Sequence, residues 1–239
     1  MKCIQTCILL GIIIVIIASI FIINDSQRKR LLKTTDSDLP LSTLLNNSNI
    51  IKIEKKFYSL NKHYYILADN MVVGEVKGKR FPVLGDTLIM TDVKGNVIKS
   101  EYEIKRVGFS KKNGFNISLN RLAEIVDADS NTTGYIGEER LKNLLSVKHI
   151  QYFYDANKTT QGYAKRNSLI LYNKDYTVYN NDNTTAYTID GSIFNLPSKA
   201  TITKHTDSHI NMEDVIFYTI IENSIVDYSF TNSNNSAKH

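Results

Sequence analysis

From residue 51 onward apolar and polar residues alternate with period two, the pattern of strands that bury one face. IEKKFYSL (53–60), YYILAD (64–69), TLIMTD (87–92), IQYFYD (150–155) and YTVYN (176–180) all carry it, and all but the first end in Asp or Asn. Helical periodicity is nearly absent from this part of the chain. Gly and Pro are sparse, while Asn, Ile, Thr and Tyr are abundant, a mixture that predicts strands joined by Asn/Asp turns.

The segments also repeat. Residues 64–92, 122–155, 150–180 and 176–204 each begin with an apolar strand ending in Asp or Asn, followed by a polar turn. A Gly or Ala beside a β-branched or aromatic residue then opens the next strand, and 88–106 forms a further hairpin of the same kind. Units that share boundary strands predict a meandering antiparallel sheet. Bends at FPVLGD (81–86), LKNLLSVK (141–148) and FNLPSK (194–199) would close it into a barrel.

The repeat bears on DADSNTTGYIGEER (127–140), which looks like a calcium loop. With Gly134 at the sharp turn, Asp129 is the first ligand and Arg140 falls where a bidentate Glu is required. With Asp127 first, Glu138 reaches that place but Thr132 occupies the glycine position. Neither register works, and the aligned copies YDANKTTQGYAK and NNDNTTAYTIDG lack ligand spacing. The stretch reads as a hairpin turn.

One segment breaks the strand pattern. INMEDVIFYTIIENSIVDYSF (210–230) predicts a helix, with Asn211 able to cap and Glu213 and Asp214 in its first turn. Its apolar residues cover nearly the whole circumference, with Glu222 and Asn223 as interruptions, so it must be buried on all sides. A helix threaded through a closed sheet satisfies that requirement.

At the other terminus, ILLGIIIVIIASIFII (8–23) carries no charge, and about 20 apolar residues cross a bilayer core. No A-x-A-like site follows and no lipobox precedes Cys3 or Cys7, so an uncleaved transmembrane helix over 8–24 is expected. Those two cysteines are the only ones, which excludes a disulfide framework or a cysteine-rich zinc site in the body. Arg28, Lys29, Arg30 and Lys33 follow the helix and only Lys2 precedes it, which places the C-terminal body in the cytoplasm. Residues 1–34 hold five Lys/Arg and one acid, leaving 24 basic and 23 acidic residues beyond. The net charge of +5 is therefore mostly a juxtamembrane patch, one that fixes topology or touches anionic lipid, and not a nucleic-acid surface.

The predicted organisation is a short flank (1–7), the transmembrane helix (8–24), a basic juxtamembrane segment and linker (25–50), a barrel domain (51–230) and a disordered tail (231–239). The linker is polar apart from Leu39, Leu41, Leu44 and Leu45, and reads as a tether with a short helical turn.

Overlapping hairpins followed by a single buried C-terminal helix resemble the tubby C-terminal-like superfamily, and within it the LURP-one-related proteins and their small bacterial relatives. The resemblance is carried by 55–98, by YTVYNNDNTTAYTIDGSIF (176–194) and by EDVIFYTIIENSIVDY (213–228). It implies a twelve-stranded antiparallel barrel around a central hydrophobic helix. Tubby proteins bind membrane phosphoinositides and phospholipid scramblases share the fold, so the resemblance points to lipid.

Candidate phosphate contacts on the domain are Lys77, Lys79 and Arg80; Lys105 and Arg106 with Lys111 and Lys112; and Lys165 and Arg166. On a near-neutral domain each cluster also reads as a solvated strand face. HTDSH holds His205, Asp207 and His209, which would bind zinc if they converged, or else form a polar loop that caps the helix. No phosphate-binding glycine loop, nucleophile elbow or H-E-x-x-H string occurs. Asn-x-Ser/Thr strings such as those at Asn131 and Asn157 are products of Asn- and Thr-rich turns. The function expected is a single-pass, non-enzymatic barrel module without a cofactor, binding anionic phospholipid headgroups or a protein partner. The alternatives are an assembly protein with no small ligand, or a metal-dependent enzyme built on His205 and His209.

Overall fold

The alternating segments become strands that differ little in length. The computed structural model describes residues 11–16, 18–19, 21–22, 25–26, 38–56, 62–78, 87–104, 122–137, 150–167, 175–192 and 199–222. The strands are β1 (Ile50–Lys55), β2 (Lys62–Ala68), β3 (Met71–Gly78), β4 (Thr87–Asp92), β5 (Val97–Ile104) and β6 (Leu122–Asp127). They continue with β7 (Thr132–Gly137), β8 (Ile150–Asp155), β9 (Thr160–Arg166), β10 (Tyr176–Asn180), β11 (Thr185–Ser192) and β12 (Lys199–Lys204). Each pairs antiparallel with its sequence neighbour, and β1 also pairs with β12 through Ile51↔Ile202. The sheet thus closes into a twelve-stranded barrel and leaves no free edge.

The repeat is visible in the turns. At 92–96, 127–131, 155–159 and 180–184 the first residue's amide donates to the fifth residue's carbonyl, and the fourth residue's amide donates back to the first. The fourth residue is left-handed each time: Gly95 (φ 87), Ser130 (φ 68), Lys158 (φ 63) and Asn183 (φ 65). This is a type I turn closed by a bulge, a favoured three-residue hairpin. β2 and β3 are joined by a two-residue turn with Asp69 and Asn70 both at positive φ. Because successive strands alternate in direction, these five turns share one end of the barrel. The bends expected at 81–86 and 141–148 lie outside the described residues, as does the one expected at 194–199 except for Lys199, which opens β12.

Each hairpin then shifts register by one residue at the same height, as between Ile125 and Val126 or between Phe153 and Tyr154. Gly74, Gly134 and Gly162 stand beside these bulges. A Cβ on Gly74 or Gly134 would lie 2.6 Å from the carbonyl oxygen of Thr91 or Tyr154, so only glycine fits. At the equivalent places on β5 and β11 stand Lys99 and Tyr187. Lys99 reaches the helix over residues 212–222, its Nζ 3.0 Å from Asp214 Oδ1, and Tyr187 reaches the loop leading into it, its hydroxyl donating to the Ile210 carbonyl at 2.9 Å. Three glycines make room for the interior, and the two exceptions tether what fills it.

That filling is the helix over residues 212–222. Asn211 caps it through its carbonyl, which accepts from the amides of Asp214 and Val215. Val215, Ile216, Phe217, Tyr218 and Ile220 have no solvent exposure and belong to one apolar cluster with inward residues such as Ile51, Ile66, Met90, Ile125, Val178 and Ile202. The all-round apolarity of the segment is explained by this packing. Its expected continuation through residue 230 lies outside the described residues.

The short helical turn expected in the linker is present as a helix at Leu41–Asn47. Leu41 and Leu45 are buried in the same core cluster, with a Leu41 methyl 3.2 Å from where a Gly74 Cβ would be. Among the described residues the packed body therefore takes in Leu41 and Leu45, before β1. At the N-terminus, residues 11–16, 18–19 and 21–22 are helical, and Ser19 Oγ donates to the Val15 carbonyl at 2.8 Å. Ile12, Ile13, Ile14, Val15, Ile16, Phe21 and Ile22 are 46–70 % exposed. Among the described residues no helix is long and apolar enough to cross a membrane, and the remainder of the 8–24 segment is not among them.

Candidate functional site

Inward and outward residues alternate along β7–β10, and both faces of this wall carry tyrosine. On the inner face Phe153 and Tyr176 set their rings edge-on against Tyr218 of the central helix, with centroids 5.6 and 5.4 Å apart. One turn further along the helix, the buried Glu222 carboxylate accepts from the Tyr176 hydroxyl at 3.0 Å and from the Gln151 amide. The Arg166 guanidinium lies 6.0 Å from the Tyr176 ring. Burial, reinforced by the Glu222 charge, pushes the hydroxyls of Tyr176 and Tyr218 well above the usual phenol range. The fully buried Tyr218 hydroxyl has no hydrogen-bond partner among the described residues. The arrangement fastens the helix at Glu222: two strands supply donors and the helix supplies the acceptor. Near the start of the helix burial raises the Tyr187 hydroxyl to about 12.

The outer face of the same strands carries Tyr135 on β7, Tyr152 and Tyr154 on β8, Tyr163 on β9 and Tyr179 on β10, all half-buried. Register places Tyr154 opposite Tyr135, and Tyr163 opposite both Tyr152 and Tyr179. Tyr163 stacks on Tyr179 with centroids 5.1 Å apart and planes at 26°, and Tyr152 lies 6.2 Å from both Tyr163 and Tyr154. The Tyr163 hydroxyl donates to Asn183 Oδ1 at 3.0 Å. Lys158 holds its ammonium 5.5 Å from the Tyr135 ring. Lys165 lies two residues beyond Tyr163 on the outward face of β9, opposite Ile150 and Thr177.

The basic residues singled out from sequence do not form one group. Lys77 pairs with Glu75 on the outer face of β3, and Glu75 also bonds His63 at 2.7 Å. Burial favours neutral Glu75, but its hydrogen bonds from Lys77 and His63 and their charge hold its pKa below the usual value. Burial, aided by Lys56 and Lys77, lowers His63 against the opposing pull of Glu75. Lys165 belongs to the outer tyrosine face, whereas Arg166 approaches the inner network. Arg28, Lys29, Arg30, Lys33, Lys79, Arg80, Lys105, Arg106, Lys111 and Lys112 lie outside the described residues.

The HTDSH residues are directed to separate partners. His205 Nε2 is 2.9 Å from Thr188 Oγ1, Asp207 pairs with Lys204 at 3.1 Å, and His209 is exposed. Ser208 bonds Asn180 and accepts the Ile210 amide, holding the loop that leads into the helix. Among the described residues no group of three His, Cys, Asp or Glu side chains is placed to hold a metal. In the calcium-like stretch, Asp127 Oδ1 accepts the amides of Asp129 and Asn131 at 3.0 and 2.8 Å. The Asn131 bonds hold the Asp127 carboxyl below the usual range. It is the hinge of a turn, as Asp92 is in its own hairpin through Asn96.

Apart from Lys165 and Arg166, no residue of the inner network or the outer tyrosine face was among the candidates read from sequence. The signal for the outer face was there, as Tyr at alternate positions on consecutive strands (YFYD, GYA and VYN), but alternation does not say which face is outside. No protein-family model, curated protein or solved structure matches the chain.

Proposed function

We propose that this chain is a membrane-anchored, non-enzymatic barrel module of the tubby C-terminal-like kind, held at the bilayer by its N-terminal helix and binding anionic lipid headgroups. The observation that carries the reading is the bare aliphatic surface from Ile12 to Ile22, helical where described, in a chain whose barrel already buries its own core. Aliphatic side chains at this exposure are costly in water and favourable in hydrocarbon. Arg28, Lys29, Arg30 and Lys33 follow, where basic residues meet anionic headgroups and hold the barrel on the cytoplasmic side. A closed sheet around a buried C-terminal helix supports the tubby-like comparison at the level of architecture, which by itself does not fix function.

Two experiments test the reading. A full-length chain carrying Ile14→Asn and Ile16→Asn has its hydrophobic hold weakened without any added charge, so its flotation isolates headgroup contact. It should float with phosphatidylcholine vesicles only when phosphatidylserine is included, and lose binding as salt rises. Failure to float on the anionic vesicles would overturn headgroup binding. In a Cys3→Ser, Cys7→Ser chain, a cysteine replacing the exposed turn residue Val93 should react with an impermeant thiol reagent only from the cytoplasmic side. Labelling from outside would reverse the orientation.

A further inference from the structure

We propose that the outer tyrosine face of β7–β10 is the side of the barrel that lies against the membrane, with its rings in the headgroup layer. The inference rests on the anchored reading above and assigns the face that meets the lipid. Tyr135, Tyr152, Tyr154, Tyr163 and Tyr179 form a continuous aromatic band across four neighbouring strands, with successive rings 5.1–6.2 Å apart from Tyr154 to Tyr179. Tyrosine has an apolar ring and a polar tip, and it concentrates where a surface is half apolar and half wet, the headgroup region above all.

Charge selects lipid over other occupants. Lys158 and Lys165 flank the band, and among the described residues the outward positions within these four strands include no Asp or Glu. The acids that adjoin the wall are already hydrogen-bonded: Glu124 on β6, opposite Tyr135, accepts from Thr132, Asp155 from Thr159 and Gln161, Asp182 from Thr184, and Asp175 bonds Asp190. Outward positions on β7–β10 that carry tyrosine and lysine, with the adjoining acids engaged by hydroxyls and amides, complement an anionic bilayer surface. On the opposite wall, β2–β4, the outward positions include the His63–Glu75–Lys77 cluster and the exposed Ile89, with no comparable band.

Reach permits the contact. Residues 23–40 between the apolar helical segment and the short helix extend to at most about 60 Å. A barrel of this strand number is about 25 Å across. The tether is therefore long enough to present any wall, and the residues on the wall decide which is preferred.

The chain contains no tryptophan, so a single introduced one is an uncontested reporter. Full-length Tyr163→Trp and Ile89→Trp chains are reconstituted into phosphatidylcholine/phosphatidylserine vesicles with and without lipids brominated high on the acyl chain. Tyr154→Trp serves as a second reporter if Tyr163→Trp does not fold, as read by circular dichroism. Emission from position 163 should be quenched by bromolipid severalfold more strongly than emission from position 89, and should shift to the blue on reconstitution. Equal quenching at the two positions in chains that float with the vesicles overturns the inference and leaves the anchor standing. Chains that do not float at all overturn both. Shielding of position 163 from acrylamide in native membranes but not in vesicles assigns the face to a protein partner, and equally overturns the lipid assignment.

Discussion

Strands β8–β10 hold tyrosine on both faces, and the two sets are governed by different physics. Inside, Tyr176 and the helix's Tyr218 are buried, so each hydroxyl either finds a partner or leaves a desolvated group uncompensated. Tyr176 finds Glu222, whereas Tyr218 has none among the described residues. Outside, Tyr152, Tyr154, Tyr163 and Tyr179 stack on one another and keep their tips within reach of solvent, an arrangement that contributes modestly to folding. One residue type is a structural wedge on one side of the wall and an interfacial surface on the other.

The sharpest way to break this comparison is truncation on each face. Tyr218→Ala should cost about 3–5 kcal/mol of unfolding free energy, because the ring is enclosed and its loss leaves a cavity. Tyr163→Ala should cost about 1 kcal/mol, the scale of a single aromatic pair. Urea titrations of the two variants decide it, and similar losses would mean that the outer band is a structural element. Next in size, Glu222→Ala removes the carboxylate that accepts from the Gln151 amide and the Tyr176 hydroxyl, a loss of about 1–3 kcal/mol.

Hydroxyl deletion separates the two inner tyrosines by sign. Tyr176→Phe should destabilise by about 1 kcal/mol through the lost bond to Glu222. Tyr218→Phe should stabilise by a similar amount, about 1 kcal/mol, since it removes a buried group that has no partner among the described residues. Thermal melts of both chains test this, and two changes of the same sign would contradict the inner network as described.

The smallest effect concerns the turns that share one end of the barrel. Hydrogen bonds lower the carboxyls of Asp92, Asp127 and Asp182 below the ordinary 3.8, chiefly those from Asn131 for Asp127 and from Thr184 for Asp182, while for Asp92 the bonds from Asn96 outweigh an opposing burial effect. A depressed pKa supplies stability that is complete above the unfolded value and disappears as pH falls through the folded one. Urea midpoints should therefore fall on acidification below that value. Asp127→Asn, which loses the charge, should show less of this dependence than the unaltered chain. Asp190 acts in the opposite sense: its hydrogen bond to Asp175, together with burial, raises its pKa, so its contribution is present at low pH and fades as pH rises.

The barrel was legible because its information is local. TLIMTD, IQYFYD and YTVYN coincide with β4, β8 and β10, since alternation ended by an Asp or Asn turn specifies both a strand and its stop. The central helix was legible from its apolar circumference. What escaped depends on distant partners. Glu222 read as an interruption of the helix, yet it is the acceptor that fastens it, through donors 71 and 46 positions away in sequence. Leu41 and Leu45 read as part of a tether because a seven-residue helix offers too few turns to show a buried stripe. Lys165 and Arg166 looked like one basic pair, but adjacent strand residues face opposite ways, so one joins the outer wall and the other approaches the inner network.

The measurement that bears most directly on the central claim is alkaline carbonate extraction of membranes containing the full-length chain. An integral apolar helix resists this treatment, so the unaltered chain should stay with the membrane pellet. An Ile14→Arg, Ile16→Arg chain should move to the supernatant, because each arginine at the helix centre costs about 3 kcal/mol of insertion. Release of the unaltered chain, or retention of both, would contradict an account in which the N-terminal helix anchors the barrel to the bilayer.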